Sequence, residues 1–309
     1  MQAAASGHQT QAFFLPCDET APASQRFCLW HTPLDVPTGG ARAPRALLVL
    51  VPPFAEEMNK SRRMAALQCR AFAEAGFAVL QLDLLGCGDS GGDFADATWA
   101  VWVSDVLWAS QLALQRFARD WPGLPNPPLW LWGVRAGCLL ACAAAAAMDG
   151  PVNFLFWQAP SSGKTVLQQF LRLKVAASLA QADNKGVAGQ LRQEIAAHRS
   201  VNIAGYELAP ALANGLEAAR LVSPAAPCRM IWLEVSIRPQ ATLLPVSQTA
   251  VQQWRDAGHE VREAVVVGPA FWSTVEIEDA PALVNAGTQL LAQALAPAQG
   301  PTATQASLS

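Results

Sequence analysis

The pentapeptide Gly133–Gly137, with the sequence GVRAG, has the spacing of a turn that presents a reactive side chain. It follows an apolar run that predicts a strand, Pro128–Gly133, and opens an alanine-rich run that predicts a helix, Ala136–Met148. Small flanking residues allow the sharp strand-to-helix elbow on which enzymes place a nucleophilic Ser, Cys or Asp. The central residue is Arg135, whose guanidinium stays protonated and cannot attack a carbonyl. The spacing therefore predicts an elbow without its nucleophile.

Arg135 has two chemical interpretations, and the sequence leaves both open. At the start of a helix, free N–H groups and the helix dipole favour an anion, and a guanidinium adds a bidentate donor for carboxylate or phosphate. A buried arginine must also be paired, and the candidate internal partners are Glu56, Glu57 and Glu234. The two interpretations are compatible if a ligand carboxylate competes with an internal carboxylate for the Arg135 guanidinium.

Short apolar runs alternate with longer amphipathic runs along the chain, which predicts a mostly parallel sheet covered by helices on both faces. The predicted strands are Ala46–Val51, Phe77–Asp83, Pro128–Gly133, Val152–Gln158, Cys228–Val235 and Glu260–Val267. The predicted helices are Lys60–Ala75, Thr98–Arg119 (capped by Asp96 or Thr98), Ala136–Met148, Val246–Ala257 and Pro281–Ala296. Two early runs, Ala12–Leu15 and Arg26–His31, are expected to form an antiparallel pair at one edge.

The interval Ser161–Pro227 interrupts this alternation and is too long for an ordinary connection. Its composition predicts a helical lid inserted between two strands. The expected organisation is an N-terminal half of the core at 1–160, the lid at 161–227, the rest of the core at 228–296, and a disordered low-complexity tail at 297–309.

Four segments resemble a known family. The order of strand, DLLGCGDSGGDF (Asp83–Phe94), helix, strand and elbow resembles the α/β-hydrolase superfamily over about residues 26–296. More narrowly, PPFAEEMNKSRRM (Pro52–Met64), the Asp83–Phe94 segment, LWGVRAG (Leu131–Gly137) and GPAFWSTVEI (Gly268–Ile277) resemble the second hydrolase associated with the exosortase A system. That resemblance implies a bacterial protein found beside PEP-CTERM protein sorting and exopolysaccharide production.

The resemblance implies a catalytic triad, yet two of its positions are not filled. Glu234 stands where the acid is expected, but the segment Gly268–Ser273, where the histidine is expected, contains none. Of the four histidines, only His198, in the predicted lid, is placed where it could reach the site; the others are His8, His31 and His259. Ser90, Ser161, Ser162, Cys87 and Cys138 are weaker alternative nucleophiles. The catalytic residues are therefore unknown.

Ligands of open α/β sheets bind beyond the carboxyl ends of the strands. That rule predicts one mouth formed by Phe54–Glu57, Leu85–Ser90, Arg135, Ser161, Glu234 and Phe271–Trp272. The ligand-binding residues expected there are Phe54, Ala55, Glu56, Glu57, Ser90, Arg135, Ala136, Phe271 and Trp272. Three functions remain open: an ester or amide hydrolase or acyl transferase, as the resemblance implies; an inactive relative that binds an anionic or acylated small molecule; or a scaffold for the exosortase and polysaccharide machinery.

Composition excludes other classes. The 309 residues carry a net charge of -3, with 52% hydrophobic and only 15% charged residues, so a nucleic-acid-binding surface is not expected. Seven scattered cysteines, without a C-x-x-C motif, predict reduced thiols in a cytoplasmic protein and no zinc site. Neither a signal peptide nor a membrane span is expected, since Leu129–Met148 is better explained as a strand entering a helix. Gly86–Gly91 and Gly163–Thr165 fail the dinucleotide and P-loop patterns, and the aspartates at 83, 89, 93 and 96 lack calcium-loop spacing, so no cofactor or metal is expected.

Overall fold

A computed structural model describes residues 6–17, 25–35, 40–179 and 186–296. The main sheet contains the strands β1 (Ser6–Pro16), β2 (Gln25–Asp35), β3 (Gly40–Ala41), β4 (Leu47–Val51), β5 (Ala78–Leu82), β6 (Leu129–Val134), β7 (Asn153–Trp157), β10 (Arg229–Ser236) and β11 (Glu260–Val267). A separate hairpin is formed by β8 (Val201–Ile203) and β9 (Tyr206–Leu208). The helices are α1 (Glu56–Glu74), α2 (Trp99–Asp120), α3 (Gly137–Ala145), α4 (Gly163–Leu179), α5 (Val187–Ala196), α6 (Pro210–Ala218), α7 (Pro245–Asp256) and α8 (Pro281–Ala294).

The main sheet is mostly parallel, as the alternation of runs predicts. Its strand order is β1-β2-β5-β4-β6-β7-β10-β11, with β3 paired to β2. Within the described residues, the antiparallel pairs of this sheet are β1–β2, β2–β3 and β2–β5, and its other pairs are parallel. The central strands β4, β5 and β6 are buried on both faces, because helices cover both sides. The predicted antiparallel pair near the N-terminus is confirmed at this edge.

Two apolar cores lie on opposite faces of the sheet. One joins the strands to α1 and α8 through Phe72, Trp132 and Leu283, among others. The other joins them to α2, α3 and α7 through residues such as Val106, Leu139 and Trp254. The strand tryptophans Trp130, Trp132, Trp157 and Trp232 are buried in these cores, so packing accounts for them.

Most predicted elements are present with boundaries shifted by a few residues. Thr98 caps α2 by accepting a hydrogen bond from the Val101 N–H at 3.1 Å. The apolar stretch at 129–148 is indeed a strand entering a helix, and no helix among the described residues is long and apolar enough to cross a bilayer. All seven cysteines lie within the described residues and are free. The predicted disordered tail, 297–309, lies outside the described residues.

One helix boundary needs correction. The helix predicted over Lys60–Ala75 begins earlier, at Glu56, since acidic residues suit the positive end of a helix dipole. The segment between β7 and β10 contains the helices α4, α5 and α6 and, in addition, the β8–β9 hairpin. The two turn residues, Ala204 and Gly205, both have positive φ, as a tight hairpin turn requires.

His31 makes stability depend on pH. It lies in β2 between β1 and β5, with Nδ1 2.9 Å from the Thr10 hydroxyl, and burial together with nearby His8 and Arg70 lowers its pKa to about 4. The folded state thus favours neutral imidazole, so its contribution to stability is present above pH 6.5 and lost as pH falls towards 4. His31→Gln should remove about 3 kcal/mol of the stability change across that window. Urea unfolding of the wild-type protein and the His31→Gln variant from pH 7 to pH 4 measures this difference. The prediction is contradicted if the free energy of unfolding falls equally with pH in the two proteins.

Candidate active site

The elbow between β6 and α3 has the geometry that the sequence predicts. Arg135 adopts a positive φ of 53°, and its N–H donates to the Trp157 carbonyl at 2.9 Å. Gly133 and Gly137 let the turn close, because a Cβ on Gly133 would lie 2.6 Å from Cys138 Cα. A Cβ on Gly137 would lie 2.1 Å from the Val51 carbonyl oxygen. The strained turn is therefore retained although its central residue is not a nucleophile.

The Arg135 guanidinium is paired within the protein. Its Nε donates to the two Glu57 carboxylate oxygens at 3.2 and 3.3 Å, and Nη2 donates to Glu57 Oε1 at 3.0 Å. Nη2 also donates to Gln169 Oε1 at 3.2 Å, and Nη1 to the Gln158 carbonyl at 3.4 Å. The two charged side chains are only 12% and 16% exposed. Of the three candidate partners, the structure selects Glu57.

The segment expected to hold a histidine places Trp272 beside the arginine instead. The guanidinium carbon of Arg135 lies 5.0 Å from the centre of the Trp272 ring, within cation–π range. Phe271 is buried beneath, where its ring contacts Trp157 at a centroid distance of 6.0 Å. Arg135 and Trp272, in the two segments where the sequence analysis expects a nucleophile and a histidine, thus contact each other.

A cavity of about 320 Å³ opens above the elbow. Its floor is charged and comes from the start of α1 and the elbow, with Glu56, Glu57, Lys60 and Arg135. One wall comes from α4, which contributes Val166, Gln169, Phe170 and Leu173, and the remaining lining residues are Phe54, Trp272 and Ser273. The lining therefore combines apolar side chains from α4 with charged side chains from α1 and the elbow.

Burial changes the acid–base behaviour of the floor. Desolvation raises the pKa of Glu57, while Arg135 opposes that rise by charge and by hydrogen bonding. Desolvation also raises the pKa of Glu56; its own backbone N–H and Lys60 oppose the rise, and Glu57 adds to it. Opposite charges within a few ångströms thus offset part of the desolvation cost of these carboxylates.

The structure does not bring all the predicted site residues to one mouth. Ser90 is buried under the β5 loop, where its hydroxyl donates to the Asp83 carbonyl at 2.5 Å and accepts from the Phe27 N–H. Glu234 lines a separate surface depression and accepts hydrogen bonds from Trp232 Nε1 at 3.0 Å and the Leu244 N–H at 3.5 Å. These local hydrogen bonds hold Ser90 and Glu234 in place, so neither side chain lines the cavity.

Ala55, Ala136 and Phe271 are buried beside the cavity but do not line it. Ser161 is exposed and is also not part of the lining. Of the nine predicted ligand-binding residues, the cavity therefore contains Phe54, Glu56, Glu57, Arg135 and Trp272.

No alternative nucleophile–base pair forms at the site among the described residues. Burial raises the pKa of Cys138 well above its usual value and that of Cys87 to about 12, so both remain thiols. His198 is exposed at the end of α5 and does not line the cavity. His259 lies at the amino end of β11, where its Nδ1 accepts from the Cys228 N–H at 3.2 Å.

Sequence reasoning missed Lys60, Ser273 and the four cavity residues of α4. Lys60 was recognisable from the spacing of Glu56 and Lys60, which places both on one helix face once the helix starts at Glu56. The α4 residues Val166, Phe170 and Leu173 recur at helical spacing, but periodicity alone does not tell which neighbour a helical face covers. Among the described residues, no group of three or more His, Cys, Asp or Glu side chains is placed to hold a metal ion.

The fold is that of the α/β-hydrolases. An esterase from the archaeon Pyrobaculum calidifontis superposes with a TM-score of 0.54 at 13% identity, covering 93% of this chain and 87% of the esterase. A carboxyl esterase from Bacillus coagulans gives 0.54 at 13% identity, with 94% and 99% covered. A peroxisomal α/β-hydrolase from Saccharomyces cerevisiae gives 0.51 at 15% identity, with 97% and 93% covered. No family model matches the sequence, and neither does any curated protein.

Proposed function

We propose that this protein binds a small acylated molecule in the cavity above the elbow without cleaving it through a nucleophile–histidine–acid triad. The observation that carries the proposal is the pairing of Arg135 with Glu57 at the position where a nucleophile would stand. A guanidinium held by a carboxylate cannot form an acyl-enzyme. Trp272 lies beside Arg135 in the segment where the resemblance implies a histidine, and its indole cannot accept a proton.

The two-sided lining supports an acylated ligand. Val166, Phe170 and Leu173 present an apolar wall on α4, which suits a hydrocarbon arm. The charged floor opposite suits a polar head group. A cavity of about 320 Å³ is at the small end of the range for small-molecule sites, and a few polar groups in an apolar pocket fix a ligand's orientation.

An anionic ligand is the less favoured form of the binding hypothesis. Glu57 already neutralises Arg135, and Glu56 adds a second carboxylate to the same floor. A ligand carboxylate would have to displace Glu57 and leave a part-buried charge without its partner. Arg135 is therefore assigned to holding the floor together.

The hydrolase alternative gives a direct test with p-nitrophenyl esters of short to medium acyl chains. We expect saturable binding by calorimetry and no p-nitrophenolate release above the buffer rate. Leu173→Ala removes part of the apolar wall from a side chain that is 36% exposed, so binding should weaken about fivefold to tenfold without loss of stability. Leu124→Ala, at a residue 51% exposed and outside the cavity, is the matched control. Saturable turnover would overturn the proposal, and mass spectrometry of the trapped acyl-enzyme would then locate the nucleophile.

A finer proposal follows from the resemblance to the exosortase A-associated hydrolases. Three of the segments that carry it, Pro52–Met64, Leu131–Gly137 and Gly268–Ile277, supply the cavity residues outside α4. We propose that the protein acts in the cytoplasm beside PEP-CTERM sorting and exopolysaccharide production. In a host strain lacking the chain, exopolysaccharide output should fall and be restored by the Leu124→Ala variant but less by Leu173→Ala. Unchanged output in the deletion strain would contradict this assignment.

A scaffold role is the second candidate, and exposed apolar side chains favour it. Ile237, Val275 and Ile277 are 80%, 97% and 66% exposed on the loops that follow β10 and β11. Apolar residues of this kind mark a surface that meets another protein when they form one contiguous patch. Equal restoration of exopolysaccharide by both leucine variants, with loss on replacing these three residues by serine, would favour the scaffold over the binding protein.

A further inference from the structure

Glu56 is a polar group of the cavity floor that has an unused hydrogen-bond acceptor. It is the first residue of α1 and lines the cavity, and its Oε2 is buried without a hydrogen-bond partner among the described residues. Buried polar atoms are nearly always paired in folded proteins, and a water molecule or a ligand can supply the partner of this one. A carboxylate oxygen can only accept, so a ligand that binds it must offer a hydrogen-bond donor.

Lys60, one helical turn after Glu56, supplies a hydrogen-bond donor. Residues four apart lie on the same helix face, and both Glu56 and Lys60 line the cavity. The charge of Lys60 lowers the pKa of both Glu56 and Glu57, but its ammonium makes no hydrogen bond or close ion pair with another described residue. The face of α1 therefore offers one acceptor and one donor side by side.

The other polar groups of the cavity already have hydrogen-bond partners within the protein. Glu57 and Arg135 form the bidentate pair, and Gln169 accepts from Arg135. The Ser273 hydroxyl donates to the Ala270 carbonyl at 3.0 Å. A ligand head group would thus meet Glu56 and Lys60 first.

We propose that the ligand is an N-acyl compound whose secondary amide donates its N–H to Glu56 and accepts from Lys60 through its carbonyl oxygen. The acyl chain lies along Val166, Phe170 and Leu173. This proposal rests on the proposed function, because it assigns the head group of the same acylated ligand.

The carboxylate, ammonium and ester head groups each leave one side of the floor unsatisfied. A carboxylate would face Glu56 and Glu57 and place like charges together. A primary ammonium would face Lys60 with the same result. An ester matches the amide in shape and keeps the carbonyl acceptor, but it lacks the N–H and leaves Glu56 Oε2 unpaired. Sites built to bind a donor discriminate strongly against analogues that lack it.

The test compares four probes with the same chain in calorimetric titrations: N-methyloctanamide, methyl octanoate, octanoate and octylammonium. The amide should bind at least about tenfold more tightly than the ester. Glu56→Ala should reduce that amide-to-ester ratio to about one, and Glu56→Gln, which keeps an acceptor oxygen, should retain part of it. Lys60→Met should weaken amide and ester equally and leave the ratio unchanged, since both carry the carbonyl.

Each outcome separates the two proposals. Equal binding of amide and ester, or a preference for octanoate or octylammonium, would overturn the N-acyl assignment while leaving a ligand-binding function in place. Failure of all four probes to bind would overturn both. If the Glu56→Ala variant still binds the amide more tightly than the ester, another residue accepts the hydrogen bond from the N–H. That result would also overturn the assignment.

Discussion

The Gly137→Ala substitution should lower the free energy of unfolding by more than about 4 kcal/mol. The new Cβ would lie 2.1 Å from the Val51 carbonyl oxygen and 2.7 Å from that of Pro52. Both atoms belong to the backbone at the end of the buried strand β4, so neither can move aside without disturbing the sheet. Denaturant unfolding followed by circular dichroism measures the effect.

Gly189→Ala is the matched control for this prediction. Gly189 lies inside α5, and a Cβ there would have no heavy atom within 4 Å. Alanine is the better helix former, so this variant should be stabilised by about 0.5–1 kcal/mol. Equal stability of the two variants would show that the elbow adapts to a side chain, and the close approach of α3 to β4 would then not be what fixes its geometry.

The Arg135→Ala substitution should reduce stability by about 2–4 kcal/mol, somewhat below the range for a fully buried pair because the two side chains keep slight exposure. Removal of the guanidinium leaves Glu57 part-buried and unpaired, and it also removes the contact with Trp272. Alanine and arginine have the same difficulty with the positive φ, so the backbone contributes little to the difference. Thermal and urea unfolding at neutral pH measure it.

Two further variants test whether the stability loss in Arg135→Ala comes from the unpaired Glu57 carboxylate. Arg119→Ala removes an exposed pair with Asp120, whose arginine is 63% exposed, and should change stability by less than about 0.5 kcal/mol. Arg135→Ala combined with Glu57→Gln should recover part of the loss, because the neutral amide no longer carries an unpaired charge. Weakened octanoate binding with unchanged stability would instead identify Arg135 as an anion receptor.

The sequence predicts the sheet well because long apolar strands and their connecting helices leave strong local patterns. It also predicts the elbow, since Gly133 and Gly137 mark a close approach that other residues would block. It does not determine the partner of Arg135, because Glu56, Glu57 and Glu234 all end up near the carboxyl edge of the sheet. The choice depends on where α1 begins, and helix boundaries are poorly determined by local pattern.

The cavity shows a second kind of limit. Its α4 wall is remote in sequence from its α1 floor, so no local pattern relates Phe170 to Glu56. Ser90 and Glu234 follow strands at the correct edge, but local hydrogen bonds hold both away from the cavity. Topology therefore predicts which end of the sheet holds a site, while packing decides which side chains reach it.

The division of the cavity between α1 and α4 has a thermodynamic consequence. A molecule that contacts both helices binds only while α4 is docked on the core. Its binding therefore stabilises the docked state of α4 relative to the undocked state. Ligand binding should therefore slow amide hydrogen exchange throughout α4, including residues that do not touch the ligand. It should also slow proteolytic cleavage at the ends of α4. A cavity built on one rigid element would protect only the residues that touch its ligand.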